Sequence, residues 1–215
     1  IPHRKGAMKR NEQPPEDFGD AVTMDTIVAR GDSAGIGGEQ DCLMIYEVAK
    51  DWLGAFPVKS KHANHVYNAL LYFAGRKDIK FIHMDAAKEL IKACKMHGIL
   101  CKLSTVNVPQ ENGLAESMVR IEVEGARCDL AQAGFPASFW PYGMVHFTFA
   151  RNIQQRDGDG SSSYEKLHQE GPFPGLIVPF GAFVMFKQID TLEKAKATQK
   201  FSSRMVPGVF LGYAQ

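Results

Sequence analysis

Ile79-Lys80-Phe81-Ile82-His83-Met84-Asp85 is the stretch that decides the fold. It is an apolar run that stops on an acid, and it reads as a strand over Ile79–Met84 ending at Asp85. Glu89–His97 follows as a short helix with Leu90, Ile91 and Cys94 on its apolar stripe, and Gly98 suits a left-handed C-cap. Ile99–Val106 is the next strand. Strand, helix and strand in that order predict a parallel β-α-β unit.

Upstream of this unit, an alternating run from Phe18 to about Ala29 reads as a first strand and contains Asp25. Arg30–Asp41 is glycine-rich and reads as a loop or hairpin turn. Cys42–Tyr46 and Trp52–Lys59 are two further strands joined by a short polar connection through Lys50 and Asp51. The three together predict an antiparallel meander. His62–Phe73 repeats apolar residues at Ala63, Val66, Tyr67, Leu70 and Leu71, a helical period. The fold class expected is α/β, a mixed five-stranded sheet flanked by helices.

Downstream, Asn107–Gly113 is a loop and Leu114–Ala133 a long helix, with Leu114, Met118, Ile121, Gly125 and Cys128 predicted on its buried face. Gly134-Phe135-Pro136 breaks it. Ala137–Ile153 is a further helix with Pro141 in its first turn. Asp157–Ser163 reads as a flexible turn. Phe180–Ile189 and Val206–Tyr213 are β-like runs, which predict a small C-terminal β extension. The organisation expected is a polar linker over 1–17, a core over 18–176 and the extension over 177–215.

The chain has 215 residues, 45% of them hydrophobic and 23% charged, enough to bury a sizeable core. No stretch approaches the roughly 20 apolar residues of a membrane span. The net charge of +1 does not by itself announce nucleic acid. Basic residues nevertheless gather locally, at Arg4–Arg10, at Lys59, Lys61, Arg76, Lys77 and Lys80, and at Lys187–Arg204. Such patches could track a phosphate backbone or form solvated surface. Cys42, Cys94, Cys101 and Cys128 show no zinc-ligand spacing and fit a reducing cytosolic or nuclear setting.

Three acids stand at distinctive positions: Asp25 in the first strand, Asp85 at the end of the fourth, and Glu116 at the opening of the long helix. Carboxylates on two strands and a helix start can converge on a pair of divalent cations, an arrangement that serves phosphodiester chemistry. Magnesium prefers such oxygen donors. Each acid has a plainer reading too. Asp25 could protect a sheet edge, Asp85 could cap the next helix, and Glu116 could favour a helix N-terminus. Near them, Gln110 and Asn112 precede Glu116 in a loop where side-chain amides could meet DNA, and Asn112-Gly113 could equally form a turn. Arg120 could contact phosphate or pair with Glu116 one turn away, and the helix pair is favoured slightly. Lys59 and Lys61 could touch DNA or be solvated.

These residues resemble a known family, the integrase region of Ty1/copia-type retrotransposon polyproteins. Val108-Pro109-Gln110-Glu111-Asn112-Gly113-Leu114-Ala115-Glu116 is similar to its T-P-x-x-N-G-x-A-E segment, and Lys80–Asp85 to its second catalytic strand. Phe135-Pro136-Ala137-Ser138-Phe139-Trp140 through Ala150-Arg151-Asn152 resembles its L-P-x-x-F-W…N-R helix. Ser163–Leu167, Phe180-Gly181 and Gly208–Tyr213 resemble three later segments. The likeness runs over about residues 5–215.

The resemblance implies an RNase H-like fold and metal-dependent removal of nucleotides from element DNA ends, followed by strand transfer into target DNA. Asp25, Asp85 and Glu116 carry over as catalytic ligands of two Mg2+ or Mn2+ ions. Double-stranded DNA is the implied partner, both element ends and target, with a homo-oligomeric protein acting in the nucleus after a cytoplasmic particle stage. The chain departs from the family at Asp85-Ala86-Ala87-Lys88-Glu89, where D-N-G-x-E is usual, and in its 31-position step from Asp85 to Glu116. The zinc module that precedes such cores is not in this sequence. Two other readings stay open: a decayed, non-catalytic nucleic-acid-binding relative, and an RNase H-like nuclease that cuts without joining.

Overall fold

The computed structural model describes residues 14–29, 31–103, 113–187 and 205–213. The chain runs β1 (Val22–Val28), β2 (Asp41–Glu47), β3 (Trp52–Val58), α1 (Ala63–Ala74), β4 (Phe81–Met84), α2 (Lys88–His97) and β5 (Leu100–Leu103). It continues with α3 (Gly113–Ala133), α4 (Trp140–Gln154), α5 (Ser163–His168), β6 (Phe183–Lys187) and β7 (Met205–Val209).

Five strands form one mixed sheet in the order β3-β2-β1-β4-β5. β1 pairs antiparallel with β2, and β2 with β3, which is the meander. β4 pairs parallel with β1 on one side and with β5 on the other. The β4-α2-β5 crossover closes as the sequence predicts, and Gly98 holds the left-handed conformation at φ 74° that ends α2. The predicted fifth strand is observed over Leu100–Leu103, and Ser104–Val106 lie outside the described residues.

Alternation along the strands sorts the core onto two faces. Val22, Met24, Leu43, Ile45, Ile82 and Met84 meet α1 and α2 through Val66, Leu70, Phe73, Leu90 and Cys94. Cys42, Met44, Tyr46, Leu53 and Ala55 meet α3 and α4 through Met118, Ala126 and Met144. β2 is buried along its whole length because helices cover both its faces.

α3 and α4 approach closely because residue 125 is glycine. A Cβ there would stand 2.2 Å from the Phe147 ring. The buried residues of α3 are Ala115, Met118, Glu122, Gly125, Ala126 and Leu130. The stripe read from the sequence placed Cys128 among them. Cys128 is exposed, and the helix is rotated so that Glu122 and Ala126 take the interior.

The stretch around Asp157–Ser163, expected as a flexible turn, is held by hydrogen bonds. Gly160 N–H donates to the Asp157 carbonyl, Ser161 N–H and Oγ–H to Asp159 Oδ1, and Lys166 reaches Asp157. Ser162 then caps α5 in a reciprocal box with Glu165. The Ser162-Ser163-Tyr164-Glu165 spacing carried that signal. β6 and β7 form a separate two-stranded sheet. Its connection to the core runs through Phe180, which packs against Phe135 and His146, and through the Tyr213 hydroxyl, which donates to the Leu176 carbonyl.

Candidate active site

The parallel pairing of β1 with β4 sets Met24 opposite Met84. Asp25 and Asp85 are the next residue on each chain, so the register brings them side by side. Met24 and Met84 face α1 and α2. Asp25, one residue on, faces the other way and stands with Thr23, Met44, Ala115 and Met118 beneath the start of α3. Glu116 is in the first turn of that helix. The sheet face that carries Asp25 is therefore the face that α3 covers, and the helix brings Glu116 to it.

Electrostatics agree with this convergence. The Asp25 carboxyl is held above its ordinary range, first by burial and then by the charges of Asp85 and Glu116. The Thr26 N–H, which donates to Asp25 Oδ1 at 2.7 Å, and the Lys61 charge act in the opposite direction. Asp25 is half-buried, whereas Asp85 and Glu116 are exposed. Three like charges thus share one locale, graded from interior to solvent.

Two of the plainer readings of these acids fail on position. β1 is the central strand, so Asp25 protects no sheet edge. The N-cap of α2 is Ala87 and makes no side-chain cap bond, so Asp85 does not hold that place. Glu116 does lie where a helix dipole favours an anion, which is compatible with either role.

Lys61, between β3 and α1, is half-buried and its charge reaches Asp25. Lys59 is exposed at the end of β3. Arg120 lines an open groove with Gly113, Glu116 and Ser117. The i,i+4 ion pair expected between Arg120 and Glu116 is not among the ion pairs of the described residues. Gln110 and Asn112 lie outside the described residues.

The donor set of Asp25, Asp85 and Glu116 is all carboxylate oxygen, the chemistry that suits a hard divalent cation. A cation would offset the repulsion that raises Asp25. Among the described residues, however, no three His, Cys, Asp or Glu side chains are gathered closely enough to hold a metal ion. The acids share a locale without forming a closed ligand shell.

Sequence reasoning missed the polar residues that brace this site. Asn152 on α4 donates its amide to the Leu53 carbonyl at 2.7 Å and accepts the Leu53 N–H at 3.1 Å, completing the outer side of edge strand β3. Its neighbour Arg151 holds Asp51 at the β2–β3 turn through both the carboxylate and the backbone carbonyl. Asp51 sits there at φ 56°. The Arg-Asn dipeptide was visible in the sequence, but its contacts lie about a hundred residues upstream.

No family model matches the chain. Among solved structures, the chain is similar to the catalytic core domain of BIV integrase, with a TM-score of 0.52 and 15% sequence identity. The match covers 70% of this chain and 95% of that one. At that identity the likeness speaks to fold alone, and it places the mixed five-stranded sheet with its helices in the integrase-core, RNase H-like class. No helix of the described residues is long and apolar enough to cross a membrane.

Proposed function

We propose that this chain is an integrase catalytic core of the Ty1/copia type, a DNA-binding polynucleotidyl transferase that processes DNA 3′ ends and joins them to target DNA. The observation that carries the reading is the β1–β4 register, which sets Asp25 beside Asp85 under the helix start that bears Glu116. The likeness to an integrase core supports it at the level of fold. Residues 18–176 form the core in this reading, and 177–215 its extension.

Asp25, Asp85 and Glu116 would hold divalent cations, Mg2+ or Mn2+. A cation pair at such a site activates an attacking oxygen, stabilises the leaving oxygen and neutralises phosphate charge. The protein's own part is positional. The sheet fixes Asp25 in the middle of β1 beside Asp85 at the end of β4, and the Thr26 N–H orients the Asp25 carboxylate. The raised Asp25 carboxyl ionises more readily as positive charge approaches. Lys61, whose charge reaches Asp25, and exposed Arg120, which shares a groove with Glu116, would bind DNA phosphates near the acids, with exposed Lys59 as a further contact.

The open arrangement of the acids favours one second reading, a non-catalytic core that retains only nucleic-acid binding. The test uses the whole chain with paired donor and target DNA and millimolar Mg2+. Joined product that disappears in Asp85→Asn supports the proposal. Cut but unjoined DNA points to a nuclease. DNA binding without cutting or joining, together with no magnesium-dependent rise in melting temperature, supports the non-catalytic reading.

A further inference from the structure

The interior face of α3 carries an acid where the packing supplies apolar neighbours. Glu122 is fully buried. The titratable and charged groups that act on it are Cys42 from β2, Arg151 from α4 and Asp129 from its own helix. Thr148 Oγ1 lies 2.5 Å from Glu122 Oε1 and 2.7 Å from the Met144 carbonyl oxygen.

Each of those contacts needs a proton between its two oxygens. A threonine hydroxyl has one to give, and a backbone carbonyl has none. The Thr148 proton therefore goes to Met144, and the proton between Thr148 and Glu122 belongs to Glu122. Among the described residues, Glu122 Oε2 has no hydrogen-bond partner. A neutral carboxyl tolerates that far better than a buried carboxylate does. Arg151, the nearby cation, directs its two terminal nitrogens to Asp51 instead.

We infer that Glu122 is a carboxylic acid in the folded protein and that its proton fastens α3 to α4, so that ionising it loosens the helix that presents Glu116. Burial acts in the same direction, pushing this carboxyl up to about 8. Glu122 lies within two helical turns of Glu116, on the stretch where Gly125 brings α4 against α3. Water cannot solvate a charge there unless the two helices part. The consequence for Glu116 matters to catalysis only if the function proposed above holds, whereas the protonation itself does not depend on it.

The experiment is carboxyl 13C NMR of the whole chain labelled at glutamate, titrated from pH 5 to 9. One resonance should titrate with a midpoint near pH 8 and stay mostly at its protonated position at pH 6.5, vanish in Glu122→Gln and shift in Thr148→Val. If no glutamate resonance assigned in this way is protonated at pH 6.5, the inference is overturned. Glu47, whose carboxyl is also raised by burial, is separated from it by those two variants. If Glu122→Gln does not fold, Thr148→Val alone makes the assignment. Hydrogen exchange then reads the fastening. Amides of Gly113–Arg120 should lose protection at least about tenfold between pH 6.5 and 9 relative to the Gln variant, on the order of 1.4 kcal/mol of opening free energy. Equal protection in both proteins would refute the coupling. Absence of strand joining at every pH, with the NMR result intact, would count against the proposed function and leave Glu122 untouched.

Discussion

The α3–α4 side of the sheet holds two polar regions built on opposite terms. Around Arg151 and Asn152 most buried polar groups are paired, Arg151 Nε being the exception among the described residues. Asn152 closes Leu53 with two bonds, and Arg151 and Asp51 form an ion pair joined by the Tyr46 and Ser163 hydroxyls. Around Asp25 the opposite holds: Asp85 and Glu116 add like charge to a carboxyl already disfavoured by burial. The first region locks β3, the β2–β3 turn and α4 together. The second gathers like charge about a half-buried carboxyl. A fold stabilised in one place can hold an unfavourable site in another, and such sites are where binding and catalysis concentrate.

The sharpest way to break the comparison is in the acidic region. Asp25→Asn or Asp85→Asn should lower DNA joining on the order of 10³-fold or more with the fold intact. Parallel circular dichroism and joining assays check this, and activity within tenfold of the parent would remove the chemical meaning of the cluster. Next in size is the braced region. Arg151→Ala leaves Asp51 without its cation, and the two side chains are only 4% and 16% exposed. A loss of about 3–5 kcal/mol in urea unfolding is expected, and less than 1 kcal/mol would show that the network is not cooperative.

The pH dependence separates the two regions further. Glu122 has a folded value of about 8 against an ordinary value of 4.5. Because the folded value is raised, its contribution is fully present below pH 4.5 and is lost as pH rises through 8. The loss is on the order of a few kcal/mol across that window, checked as urea midpoints against pH. Glu122→Gln should flatten that slope. Gly125→Ala comes next, at about 1–3 kcal/mol, because the new methyl meets the Phe147 ring. The smallest effect has the opposite sign. Asp25→Asn relieves repulsion and should stabilise the metal-free protein by up to about 1 kcal/mol. A destabilisation by that variant would show that Asp25 is held by contacts rather than strained by charge.

Much of the fold was legible because the strands and the first two helices announce themselves locally. The run ending at Asp85, the helical period after His62 and Gly98 at the C-cap of α2 each needed only neighbouring residues. The candidate acids were legible as positions, since Asp85 ends a strand and Glu116 opens a helix. The face of α3 was not. Its observed buried face is turned by roughly 90° from the stripe read in the sequence, with Met118 and Gly125 common to both. That rotation turns Cys128 out and Glu122 in.

By itself, the amino-acid order determined a mixed α/β chain with a β-α-β unit, one acid inside a strand, one at a strand end and one at a helix start. Periodicity and capping depend on residues a few positions apart, and these are written in the order of the chain. Only the tertiary structure decided that Asp25 stands beside Asp85 and that Asn152 closes the edge at Leu53. It alone decided that Glu122 must be satisfied inside the protein. Each of those outcomes depends on strand register or helix rotation, which long-range packing fixes and no local pattern encodes.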